Sequence, residues 1–140
     1  MRLILDTNAL VSGIFFGGVP GQIVDAWTLE RVSLVLTPEI LEEYGRVGCE
    51  MASRYPDGRQ FFATILDVLA VNSPVLNAPP LPAPVCADPD DDKFLAAAMA
   101  SGVRLIVSGD KHLHRIAGWQ GVEVMTPREF VREYLPRADS

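Results

Sequence analysis

The sequence predicts a three-layer α/β/α fold with a mostly parallel central sheet and helices on both of its faces. Two observations predict it. Short apolar runs of strand length alternate along the chain with longer stretches of helical period, the pattern of repeated strand–helix–strand units. Two of those runs, Arg2-Leu3-Ile4-Leu5 and Val103 to Ser108, lead into an aspartate, Asp6 and Asp110. In an open parallel sheet that position is the edge where ligands bind.

With 140 residues, 15.3 kDa and 49% hydrophobic residues, the chain reads as a single domain over 1–140 with a full core. The net charge of −6 and pI of about 4.8 argue against broad, nonspecific phosphate binding, which needs a basic surface. They leave room for a nucleic-acid enzyme whose acids hold a cation, because the ion supplies local positive charge. Cys49 and Cys86 have no metal-ligand spacing and read as reduced thiols of a cytoplasmic protein. No apolar run approaches a membrane span, and the N-terminus shows no signal-peptide pattern.

The first strand covers Arg2–Leu5, and Asp6-Thr7-Asn8 follows it. Asp6 reads either as a turn or cap residue or as a functional carboxylate. Thr7 and Asn8 could hold it in one rotamer or bond a metal-bound water. Gly13 to Gly21 reads as a loop, Gln22 to Arg31 as a short helix, and Val32 to Leu36 as a second strand. Thr37-Pro38 is a cap and first-residue pair that starts a helix. Along that helix Ile40, Leu41, Tyr44, Val47 and Met51 form an apolar arc. Glu42 points away from the arc and pairs with Arg46 as an ordinary exposed couple. Glu43 borders the buried face, where a carboxylate needs a partner or an ion.

Asp57-Gly58 breaks the chain, and Arg59 to Ala70 makes another amphipathic helix. Val71 to Leu76 reads as a short extended piece, and the proline-rich Asn77–Pro84 as a surface loop. Asp88 and Pro89 then start a helix. Its first turn carries Asp90, Asp91 and Asp92, where acids suit the helix dipole. Asp91 shares the face of Phe94, Leu95 and Ala98, which dipole placement does not explain, and a cation would relieve the repulsion within the cluster. After the Val103–Ser108 strand, Gly109-Asp110 leads into a helix over Lys111–Ile116, which Asp110 could also cap. His112 and His114 do not share a helix face and read as solvated or RNA-facing rather than as a metal pair. Val122 to Met125 is a last strand, and Thr126-Pro127 starts a final helix carrying Phe130, Val131 and Leu135.

A parallel sheet collects the carboxyl ends of its strands along one edge. Asp6, Glu43, Asp91 and Asp110 can converge there with no Cys or His among them. Hard oxygen ligands select Mg²⁺ or Mn²⁺ over Zn²⁺. Such a site suits phosphodiester hydrolysis, where the ion activates water and offsets phosphate charge.

The residues Leu5-Asp6-Thr7-Asn8, Glu43-Tyr44, Asp88-Pro89-Asp90-Asp91 with Phe94-Leu95, and Ser108-Gly109-Asp110 resemble the successive motifs of the PIN domain family. The resemblance is closest to the VapC-like branch, the toxin components of toxin–antitoxin systems, and runs from Leu3 to the last helix. Each motif alone is weak, while the four in this order and spacing are specific. The resemblance implies an Mg²⁺- or Mn²⁺-dependent ribonuclease with Asp6, Glu43, Asp91 and Asp110 as catalytic and metal-binding acids. It implies support from Asn8 and Ser108, and Thr7, Asp88 and Asp92 stand beside the acids as further supporting candidates. Ser108 replaces a threonine common in the family and keeps the hydroxyl. The resemblance further implies an RNA substrate, a cognate antitoxin partner and a homodimer. Arg46, Arg54, Lys93 and Lys111 are the candidate RNA contacts.

The alternative from another class is a catalytically silent PIN-like module that binds RNA or protein. A third reading, a phosphatase or phospho-acceptor domain, is disfavoured because Asp6-Thr7-Asn8 lacks a second aspartate two residues after the first.

Overall fold

The computed structural model describes residues 1–135; the last residues of the predicted 1–140 domain, 136–140, lie outside it. Four parallel strands form the central layer: β1 (Arg2–Leu5), β2 (Ser33–Leu34), β3 (Leu105–Val107) and β4 (Glu123–Met125), in the order β2-β1-β3-β4. Every pairing among them is parallel, with Leu3 beside Leu34, Leu5 beside Val107, and Val107 beside Met125. The chain leaves β1 toward β2 on one side and later returns through β3 to β4 on the other. The switch point of the sheet therefore lies between β1 and β3, where the carboxyl ends of an open parallel sheet leave a crevice.

Helices cover the sheet to complete the three-layer α/β/α fold: α1 (Thr7–Phe16), α2 (Gly18–Thr28), α3 (Pro38–Arg54), α4 (Arg59–Asn72), α5 (Asp92–Ser101), α6 (Lys111–His114) and α7 (Pro127–Tyr134). The apolar runs explain the core. Leu3, Ile4, Ile106 and Val107 are fully buried at the centre of the sheet, and Ile40, Tyr44, Leu95 and Phe130 close on them from the helices. The cap signals hold. Thr37 accepts the Ile40 N–H at 3.2 Å, and Thr126 and Glu129 form a reciprocal capping box. No single helix among the described residues is long and apolar enough to cross a membrane.

Several expectations need correction. Gly13–Gly21 is not a loop. α1 runs to Phe16, α2 begins at Gly18, and only Gly17 and Gly18, with φ of 72° and 65°, make the turn. Gly13 serves packing instead, since a Cβ there would stand 2.8 Å from the Pro20 carbonyl oxygen. The helix expected over Gln22–Arg31 accordingly starts and ends earlier. The strand expected over Val32–Leu36 shortens to Ser33–Leu34, although Leu36 still bridges Val75, the extended part of the Val71–Leu76 piece. α4 continues through Asn72. Asp88 caps a single 3₁₀ turn over Pro89–Asp91 rather than a continuous helix, and α5 starts at Asp92. The third and fourth strands are trimmed to β3 and β4, and α6 stops at His114. Leu135 lies just past α7.

Candidate acidic site at the switch point

Asp6 follows β1 directly and is 6% exposed. Its N–H continues the ladder to the Val107 carbonyl at 3.0 Å, so its place beside the end of β3 is set by the sheet. Asp6 precedes α1 at the cap position, yet its side chain makes no capping bond. Its Oδ2 instead accepts the Ser108 hydroxyl at 2.8 Å. The turn-or-cap reading therefore does not account for this carboxylate.

Ser108, fully buried, also accepts the Asp110 N–H at 2.9 Å. Asp110 in turn caps α6 through its Oδ1, which accepts the His112 N–H at 2.8 Å. The other histidine has a structural partner: His114 Nε2 lies 2.6 Å from the Ser108 carbonyl oxygen and fastens α6 to the end of β3. Only His112 matches the solvated expectation.

Glu43 arrives from α3. Tyr44 places that helix: its phenol is fully buried and donates to the Leu5 carbonyl at 2.5 Å, at the very end of β1. Burial, with the Asp6 and Glu43 charges adding, keeps this phenol protonated and so a donor. The arc of Ile40, Tyr44 and Val47 showed which face is inward, but not that Tyr44 is a polar anchor. Glu43 is partnered on both oxygens. Thr7 donates to Oε2, Lys93 Nζ stands 3.0 Å from Oε1, and Arg46 is 3.8 Å away. Glu42 is exposed and pairs with Arg46 at 3.2 Å, as its helical phase predicts.

Asp91 and Asp92 divide their work. Asp92 is a loop anchor whose two oxygens accept the N–H groups of Val85 and Cys86 at 3.2 and 2.8 Å. Asp88 is exposed and accepts the Asp90 N–H at 3.0 Å. Asp91, partly buried at the start of α5, makes no capping bond. Burial pushes its carboxyl up to about 6, with the Asp110, Asp88, Asp6 and Glu43 charges adding. Burial raises Asp6 likewise. The Ser108 hydrogen bond works against that rise, and the Asp110 and Glu43 charges work with it. Asp6, Glu43, Asp91 and Asp110 thus act on one another electrostatically at a single sheet edge.

A cleft of about 380 Å³ opens at this edge, lined by Asp6, Asn8, Ser12, Gly109 and Asp110 among others. Asn8 is exposed on the first turn of α1. A separate cavity of about 340 Å³ lies under the proline-rich loop and touches Asp92 and Lys93, but only the first contains two of the clustered acids.

The donor set suits a hard divalent cation. It is all oxygen, and among the described residues no Lys, Arg or His forms an ion pair with Asp6, Asp91 or Asp110. As placed, no three His, Cys, Asp or Glu side chains among the described residues are arranged to hold one ion. Mg²⁺ does not require that, since it commonly keeps several waters and takes one or two carboxylates.

The family model of the PIN domain matches residues 2–112, more than half of the chain and a span within which all four acids lie. The chain belongs to the PIN domain family. PIN domains are generally nucleases and typically use divalent metals, and membership supports a nuclease class for this chain. β4 and α7 lie beyond the matched residues. A relative in Methanocaldococcus jannaschii, "Uncharacterized protein MJ1680", is 28% identical over 144 aligned residues, covering 96% of this chain and 92% of that protein. No solved structure is a significant match.

Proposed function

We propose that this PIN domain is an Mg²⁺- or Mn²⁺-dependent endoribonuclease, the toxin of a toxin–antitoxin pair. The observation that supports the nuclease reading is Asp6 and Asp110, joined through Ser108 and lining one cleft at the crevice between β1 and β3, with Asp91 and Glu43 near enough for their charges to act there. Burial, with repulsion from the neighbouring carboxylates adding, raises the Asp6 and Asp91 carboxyls, and a bound cation would offset both. Asp6, Asp91 and Asp110 would hold the ion, and Ser108 fixes Asp6 in one rotamer. Asn8 on the cleft wall offers an amide to a phosphate oxygen. Bound there, a divalent ion would activate the attacking water and offset the phosphate charge.

The choice of RNA, the antitoxin partner and the homodimer rest on the resemblance of the four motifs to the toxin branch. Among the expected RNA contacts, Lys93 and Arg46 are engaged with glutamates, which leaves Arg54 and Lys111, both exposed.

The test is incubation of the purified chain with RNA and with DNA of the same sequence, in Mn²⁺ and in EDTA. RNA cleavage in Mn²⁺, lost in EDTA and in a folded Asp6→Asn variant, is the expected result. Cleavage that survives Asp6→Asn would overturn the assignment. The pairing of Glu43 with Lys93 favours the second reading, a silent PIN-like module, and retention of intact RNA in Mn²⁺ would be its signature. Growth arrest on expression, relieved by the product of an adjacent reading frame, tests the toxin role.

A further inference from the structure

We propose that Glu43 is a positioning residue, clamped by Lys93 and Thr7, and that the ion is held by Asp6, Asp91 and Asp110 without it; this rests on the nuclease reading above. The three salt bridges among the described residues all end on Glu42 or Glu43, and none reaches the three aspartates. The two groups of carboxylates are therefore neutralised differently. Glu43 has its own cation inside the protein. Lys93 Nζ lies 3.0 Å from its Oε1, and the two side chains are only 14% and 15% exposed. Its other oxygen accepts the Thr7 hydroxyl. A carboxylate with both oxygens engaged, one of them by a largely buried ammonium, has little left to offer a second cation, and breaking such a pair leaves a poorly solvated charge.

The clamp joins three elements. Thr7 opens α1, directly after Asp6. Glu43 lies in α3, next to Tyr44, which bonds the end of β1. Lys93 lies in α5, two residues after Asp91. It ties the helix that carries Asp91 to the strand end that carries Asp6. The Tyr44 and Ser108 hydrogen bonds hold the same strand end and Asp6, so the clamp shares in spacing these aspartates and supplies no ligand.

The test compares Mn²⁺ affinity in wild type, Asp6→Asn, Lys93→Met, and the double variant Glu43→Gln with Lys93→Met, each checked for folding by circular dichroism. The double variant removes a neutral pair and leaves no unpaired charge. Because other bonds hold the same elements, its Mn²⁺ affinity should stay within about threefold of wild type, while Asp6→Asn, which removes a charged oxygen ligand, should lose about tenfold or more. Lys93→Met alone should bind Mn²⁺ more tightly, because it releases a carboxylate beside the ion. A loss in the double variant as large as that of Asp6→Asn would make Glu43 a direct ligand and overturn the clamp. A second measurement is independent of any loss of fold in one variant. The coupling between Glu43 and Lys93, taken from melting of the two single variants and the double, should be the same in EDTA and in saturating Mn²⁺. Coupling that vanishes in Mn²⁺ would show Glu43 leaving Lys93 for the ion. If wild type binds no Mn²⁺, the nuclease reading fails, and the coupling in EDTA alone decides whether the clamp exists.

Discussion

Ser108 donates to Asp6 at 2.8 Å across 102 residues of sequence. With the same oxygen it accepts the Asp110 N–H, so one hydroxyl joins the ends of β1 and β3 and orients two candidate ligands. That hydrogen bond opposes the upward push of burial on the Asp6 carboxyl. Ser108→Ala should therefore raise the Asp6 carboxyl further and move the acid limb of the pH–activity profile to higher pH. A drop of about tenfold or more in cleavage at neutral pH is expected. Ser108→Thr keeps the hydroxyl and should retain more activity than the alanine variant; equal losses would show that the hydroxyl is not what matters.

Asp91 makes metal-free stability pH-dependent. Its folded carboxyl is pushed up to about 6 from an ordinary 3.8, so the folded state binds the proton more tightly than the unfolded state. The associated stability is fully present below 3.8 and is lost as pH rises through about 6. Asp6 acts in the same direction. Asp91→Asn removes the charge without losing a capping bond, since Asp91 makes none. In EDTA at neutral pH it should be more stable than wild type by about 1–2 kcal/mol, after discounting for solvent at this partly exposed group. Mn²⁺ should stabilise wild type more than the variant by mass action. Melting curves at several pH values, with EDTA and with Mn²⁺, check both; a variant less stable than wild type in EDTA would contradict the repulsion.

Asp92 should behave as a structural residue. Its carboxylate satisfies the N–H groups of Val85 and Cys86, which end the proline-rich loop. Asp92→Ala leaves two part-buried donors without a partner and should cost about 1–3 kcal/mol. Urea unfolding measures the loss. The variant that remains folded should still bind Mn²⁺, in contrast to Asp6→Asn.

Two glycines of α3 should respond oppositely to alanine. A methyl at Gly48 would collide with the Phe62 ring of α4, and Gly48→Ala should destabilise by about 1–3 kcal/mol. At Gly45 the nearest neighbour is a Leu66 methyl at 3.7 Å, an ordinary contact. Gly45→Ala should stabilise by about 0.5–1 kcal/mol through helix propensity. Thermal melting of the two variants tests whether α3 packs on α4 in this register.

By itself, the sequence determined what is written in short-range pattern. Apolar runs placed β1 and β3, and the aspartates after them followed. Thr37-Pro38 and Thr126-Pro127 marked the starts of α3 and α7 because a cap is satisfied within its own turn. Helical phase separated Glu42 from Glu43 because 3.6 residues per turn is a local property. The tertiary structure alone decided what depends on distant groups. Gly13 reads as a turn residue until α2 is seen packed against it. Helical phase set Asp91 apart from Asp92, but only the packing shows what Asp92 does instead, which is to accept the loop N–H groups of Val85 and Cys86. Lys93 reads as a surface cation, yet the packing of α5 on α3 brings it to Glu43, 50 residues away. The physical reason is that propensity and capping act within a few residues. The partner of a buried charge is whatever the packed elements bring within about 3 Å, and that distance carries no trace in local sequence.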